Sequence, residues 1–93
     1  MKVEWDEDKN QRNLAKHKIG FELAQDVFSD PLAQYLLDRV VEGEERWQAI
    51  GQVRSRFLLV VVHCYRSAAG EEVIRIISAR PASAHERRLY EEG

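Results

Sequence analysis

Two arginines flank an otherwise apolar stretch, Arg75-Ile76-Ile77-Ser78-Ala79-Arg80, and a polar segment ending Glu86-Arg87-Arg88-Leu89-Tyr90 follows it. The first piece has the composition of a buried strand, the second that of a short helix. Apolar strands build cores, whereas arginines collected at a strand end are placed to meet an anion. Their planar fork matches phosphate or carboxylate. A phosphodiester is the anion this arrangement favours. Arg75 and Arg80 stay charged at any relevant pH, so they suit charge neutralisation and not proton transfer. The plainer alternative is an ion pair with Glu71, Glu72 or Glu86.

Proton transfer needs another kind of group. His17 is the best titrating candidate, because an imidazole with a pKa near ~6.5 can serve as base or acid. Lys16 beside it suits a phosphate, and both residues also suit the carbonyl end of a helix. Glu86 and Tyr90 are four apart and share a helix face. Tyr90 could stack on a base or donate a proton, and Glu86 could act as base or orient an arginine. The alternative for both is a helix docked on a sheet through a Glu–Arg pair. Arg46 joins the candidates if its strand neighbours the core strand. His63 is expected at a sheet rim and His85 on the solvent side of a helix. Neither metal nor cofactor is expected: His17, His63, His85 and Cys64 lack the paired spacing of zinc ligands, and no Gly-rich phosphate loop or serine elbow is present.

With 93 residues, 44% hydrophobic and 32% charged, the chain reads as one ordinary globular domain over 1–93. The longest apolar run, Phe57-Leu58-Leu59-Val60-Val61-Val62, is far short of the roughly 20 residues of a membrane span. No signal peptide is evident, and a single cysteine, Cys64, fits a reducing cytoplasm. The net charge of −2 conceals an asymmetry. Residues 1–45 hold four Lys and two Arg against eleven acids; residues 46–93 hold eight Arg, no Lys and five acids. The acidic total argues against strong non-specific binding to DNA.

The elements that must position these groups follow from pattern. Val3-Glu4-Trp5 reads as a short edge strand. Asp6 caps a helix running to about Lys16, with acids at its start and Lys16, His17 and Lys18 at its end. Gly20 breaks the chain, and Phe21, Ala24, Val27 and Phe28 form one face of a second helix that Asp30-Pro31 ends. Tyr35–Asp38 is a strand and Glu42–Glu45 a turn. Trp47, Ala49, Gly51 and Val53 alternate with Gln48, Ile50 and Gln52, the period of a half-buried strand. Residues 57–62, apolar on both faces, must lie centrally. Ser67–Gly70 closes a hairpin onto 72–78, and a last helix starts near Pro81. Trp5 and Trp47 are expected in the core. The fold class is α+β: a short N-terminal strand, two helices, a four-stranded antiparallel sheet and a C-terminal helix.

Taken in order, these residues resemble the BrnT family of bacterial toxins, the ribonuclease halves of type II toxin–antitoxin pairs. The shared set is Trp5-Asp6, Asn13, Lys16-His17, Phe21, Ala24, Phe28, Asp30-Pro31, Glu45-Arg46, Ile50-Gly51, the 75–80 strand, Ala82, Glu86-Arg87 and Tyr90. No single piece is specific; the ordered set is. The resemblance implies a RelE-type fold and metal-independent RNA cleavage that inhibits translation and growth. The catalytic candidates are then His17, Arg75, Arg80, Glu86 and Tyr90, with Lys16, Arg46 and Arg66 binding RNA. It also implies a BrnA-like ribbon-helix-helix antitoxin, a heterotetramer of the two chains, and contact with operator DNA only through the antitoxin. A different class of function remains open on the residues alone: a non-catalytic interaction module or co-repressor subunit of a DNA-binding complex.

Overall fold

The computed structural model describes residues 2–93. Its elements are β1 (Lys2–Trp5), α1 (Glu7–His17), α2 (Phe21–Ala24), a 3-10 turn (Gln25–Ser29), β2 (Gln34–Val41), β3 (Glu44–Val53), β4 (Phe57–Ala68), β5 (Glu71–Pro81) and α3 (Ala84–Glu92). The strands form one sheet in the order β1-β5-β4-β3-β2. The apolar strand is therefore central, as its two hydrophobic faces require.

The four-stranded antiparallel sheet expected from the sequence is corrected to five strands in a mixed sheet. β1 joins it by pairing in parallel with β5, Lys2 opposite Val73 and Trp5 opposite Ile76. It supplies partners for backbone groups on the outer edge of β5, while Val3 and Trp5 pack on the core. Several boundaries also move: β2 runs on to Val41, β4 runs past Val62 to Ala68, and only Ala69 and Gly70 are left to turn into β5. The second helix holds only one α-turn before tightening into the 3-10 turn. The β2–β3 turn shrinks to Glu42 and Gly43, both with positive φ, so Glu44 and Glu45 extend β3. Pro81 ends β5 opposite Leu59 and does not open α3; Ser83 caps that helix in a capping box with Glu86.

Cross-strand partners share a face, so the register sorts the side chains into two layers. One face carries Ala49, Val53, Leu59, Val61, Ile76 and Ala79, and it is covered by Ile19 between α1 and α2, Phe21 and Ala24 of α2, and Val27 of the 3-10 turn. Gly51 is needed there: a Cβ would lie 2.7 Å from Val27 Cγ1. Buried asparagines tie α1 down. Asn13 Nδ2 donates to the carbonyls of Ile19 and Ala79, its Oδ1 accepts from the Ala79 N–H, and Asn10 Oδ1 accepts from the Phe21 N–H. The other face has a smaller apolar cluster, Ile50, Leu58 and Val60, under Ala82, Leu89 and Tyr90 of the α3 region. Most of that face is left to polar side chains.

His63 is a further correction, for it is fully buried and not at a rim. Its ring meets Phe28, Tyr35 and Tyr65 edge-on. Nδ1 faces the Val61 carbonyl, so Nε2 accepts from the Tyr65 hydroxyl at 3.1 Å. Burial pushes its pKa down, which keeps the imidazole neutral in this aromatic nest. Trp5 and Trp47 are only partly buried. Among the described residues no helix is long and apolar enough to cross a membrane.

Candidate active site

The register gathers the sheet arginines on one face. Val60 lies opposite Arg80, Val62 opposite Ser78 and Gln48, and Cys64 opposite Arg75. With alternation along β3 and β4, Arg46 and Arg66 fall on the same side. This is the face that α3 only partly covers.

Each of these arginines already has a carboxylate. Arg80 makes a bidentate pair with Glu86, Nη1 to Oε1 and Nη2 to Oε2, both at 2.7 Å. Arg75 donates to Glu4 at 2.6 Å, a partner 71 residues away. Arg46 and Arg66 share Glu44, at 3.8 Å and 3.6 Å. Arg46 Nε is buried without a hydrogen-bond partner. Of the three acids named from the sequence as pairing alternatives, Glu86 is the one used. Glu86 also accepts from the Ser83 N–H at 2.8 Å. Arg80 first, and the Ser83 contacts after it, hold its pKa to about 2, so it stays ionised and orients Arg80.

Tyr90 shares the helix face of Glu86 but points elsewhere. Its hydroxyl donates to Asp30 Oδ2 at 2.7 Å, which pushes its pKa up to about 12. Asp30 also accepts from the Gln52 and Leu32 N–H groups. Burial alone would raise Asp30, yet these bonds outweigh it and hold its pKa low. Asp30, read from sequence only as a helix terminator, therefore joins the end of the 3-10 turn to β3 and α3.

Lys16 and His17 lie on the opposite layer, in the last turn of α1. They meet the arginine face only at the free end of β5, where both line a hollow with Asn13, Ile77 and Ser78. His17 also lines a second hollow, of about 300 Å³, with Pro81, Ala82 and Arg87. The eight candidates thus fall into two groups. Arg46, Arg66, Arg75, Arg80 and Glu86 share the sheet face, with Tyr90 turned to Asp30 beside it; Lys16 and His17 stand across the β5 edge. Sequence reasoning gave Glu4, Lys18, Arg56 and Phe57 no part in the site, and they reach these places from segments far apart in the chain.

A family model described as the ribonuclease toxin BrnT of a type II toxin–antitoxin system matches residues 5–86. The chain belongs to the BrnT family. It is similar to the 1.1 Å crystal structure of the Brucella abortus ribonuclease toxin BrnT, at 31% identity and a TM-score of 0.67, over 89% of this chain and 97% of that one. No curated protein matches. The match spans α1 and the sheet arginines, and its last residue is Glu86, so both groups of candidates lie within the BrnT region apart from Tyr90.

Proposed function

We propose that this BrnT chain is a metal-independent endoribonuclease of RelE-type fold, acting in the cytoplasm, whose RNA cleavage stops translation and growth. The observation that carries the reading is the meeting of His17 with Pro81 and Ala82, the residues directly after Arg80, around one hollow. An imidazole and an oriented guanidinium are two kinds of group that metal-free phosphodiester cleavage uses. In the reaction the ribose 2′-oxygen bonds to phosphorus and the 5′-oxygen leaves, giving a 2′,3′-cyclic phosphate. His17 moves the proton, Arg80 offsets charge on the phosphoryl oxygens, and Glu86 aims Arg80. Arg46, Arg66 and Arg75, with Lys16, hold RNA. Tyr90, bound to Asp30, fixes α3.

The partner is a BrnA-like ribbon-helix-helix antitoxin, in a heterotetramer that reaches operator DNA only through the antitoxin. Edge strand β2 supports a partner surface, since Tyr35, Leu36, Leu37 and Val40 are all exposed.

Purified chain incubated with RNA and excess EDTA is expected to cleave it to 2′,3′-cyclic phosphate ends. Arg80→Ala should cut the rate at least ~100-fold with the circular dichroism of the parent retained. Loss of cleavage in EDTA, restored by Mg²⁺, would overturn the mechanism. RNA left intact by parent and variant alike would leave the interaction-module reading. The co-expressed antitoxin pair should be silent in the same assay.

A further inference from the structure

We infer that a basic groove along α1 binds single-stranded RNA, with one base seated on Phe57; this rests on the ribonuclease reading and extends it from Lys16 and His17 to Lys9, Arg12, Lys18, Arg56, Phe57 and Arg87. Two hollows meet at His17. One is lined by Lys9, Arg12 and Lys16 with Ser78 of β5. The other has Lys18, Arg56 and Arg87 at its rim and buried Ile19, Leu58 and Leu59 as its floor. No carboxylate lines either one. Among the described residues none of these six cations makes an ion pair, whereas every sheet arginine around Arg80 does.

Like charges gathered without acids repel one another, and an arriving polyanion relieves that cost. The dipole of α1 accounts for Lys16 and Lys18 at its carbonyl end, but not for Lys9 and Arg12 further back, nor for Arg56 and Arg87 beside β4 and on α3. Lys9, Arg12 and Lys16 are spaced three and four apart, so they form one stripe that tracks a backbone. The end of the track is apolar. Phe57 is 46% exposed, and the Arg56 guanidinium sits 5.4 Å from its ring centroid. With the guanidinium lying over this exposed ring, the pair offers an aromatic face and a planar cation on which bases of a single strand stack. The hollow's volume, about 300 Å³, lies at the lower end of the range for small-molecule sites. Phosphates on the stripe and a base on Phe57 place the chain between them at His17.

The test uses a fluorescent 2′-O-methyl RNA octamer, which lacks the nucleophile, and reads anisotropy from about 50 to 300 mM salt. The parent should bind it. Phe57→Ala should weaken binding about tenfold, while Phe57→Tyr, which keeps the ring, should not. The double variant Arg56→Ala/Arg87→Ala should weaken it and flatten the salt dependence by about 0.7 in the log–log slope for each phosphate no longer neutralised. Phe57 and Arg56 are exposed, so folding is expected to persist, and circular dichroism checks this. A folded parent that cleaves RNA but does not bind the octamer, or variants that bind it like the parent, would overturn the groove and leave the ribonuclease reading standing. A parent that neither binds nor cleaves would remove both. If the variants were impaired only in antitoxin binding, the groove would be a protein-docking surface and the inference would fail.

Discussion

The sheet arginines and the α1 cations carry the same sign of charge but hold it in opposite ways. On the sheet, Arg46, Arg66, Arg75 and Arg80 are each matched by Glu4, Glu44 or Glu86. Along α1 and the mouth of β4, six cations line hollows that hold no carboxylate, and among the described residues none of them makes an ion pair. A bidentate pair such as Arg80–Glu86 orients its guanidinium and offsets its charge, whereas a cation without a pair leaves its field uncancelled. The first arrangement suits aiming a group at a reacting phosphate, the second suits collecting a polyanion. The two belong to different steps of one encounter.

If that division holds, breaking a pair should cost stability and removing a groove cation should not. Glu86→Ala is expected to have the largest effect. It strands Arg80 and dismantles the capping box, lowering unfolding free energy by about 2–3 kcal/mol in urea titration. Acid should act on the same pair. The folded pKa of about 2 lies below the usual carboxylate value of 4.5, so this stabilisation is present above pH 4.5. It is lost as pH falls toward 2. After allowance for the partly exposed Arg80, that loss is about 1–2 kcal/mol, and Glu86→Gln should abolish it. A Glu86→Ala chain as stable as its parent would mean the pair positions nothing.

Tyr90→Phe comes next. Removing a hydroxyl that donates to the Asp30 carboxylate should cost about 1–2 kcal/mol, and thermal melts would show it. Since the folded pKa is raised from 10 to about 12, this part of the stability is present below pH 10 and disappears as pH rises toward 12. Retained RNA cleavage in the variant would mark Tyr90 as a positioning residue; a fall in cleavage beyond the fall in folded protein would return it to the chemistry.

The smallest effect belongs to the groove. Lys16→Ala should shift unfolding by no more than about 0.5 kcal/mol, because no partner is left behind. Its RNA affinity should nonetheless lose salt dependence. A clear destabilisation would erase the contrast between the two regions.

Much of this architecture was legible from residues in a row. Asp6 caps α1 through the N–H groups of Asp8 and Lys9, the alternation in β3 marks its buried face, and the double-sided apolarity of β4 fixes its central place. What could not be read depends on segments distant in the chain. Four residues of β1 carry no local sign of pairing in parallel with β5. Pro81 has the φ for a first helical residue, and only its pairing with Leu59 assigns it to a strand. The same holds for the site. Arg80 and Glu86 are six residues apart, and their pairing was among the alternatives; Arg75–Glu4 and Tyr90–Asp30 were not. The groove escaped notice because Phe57 reads as part of a buried strand and Lys18 as a helix-end cation until three segments meet.

The parallel pairing of β1 with β5 also sets a clock on synthesis. The first strand of the chain can find its place only when residues 73–76 exist, and α1 is pinned through Asn13 to Ala79. Contacts of such long sequence separation are slow to close and cannot form on a partly made chain. β1 and α1 must wait, undocked, until the chain has emerged as far as Ala79. Neither the arginine face nor the α1 groove is then complete until β5 and α3 have been made, and any activity that needs both begins only after that.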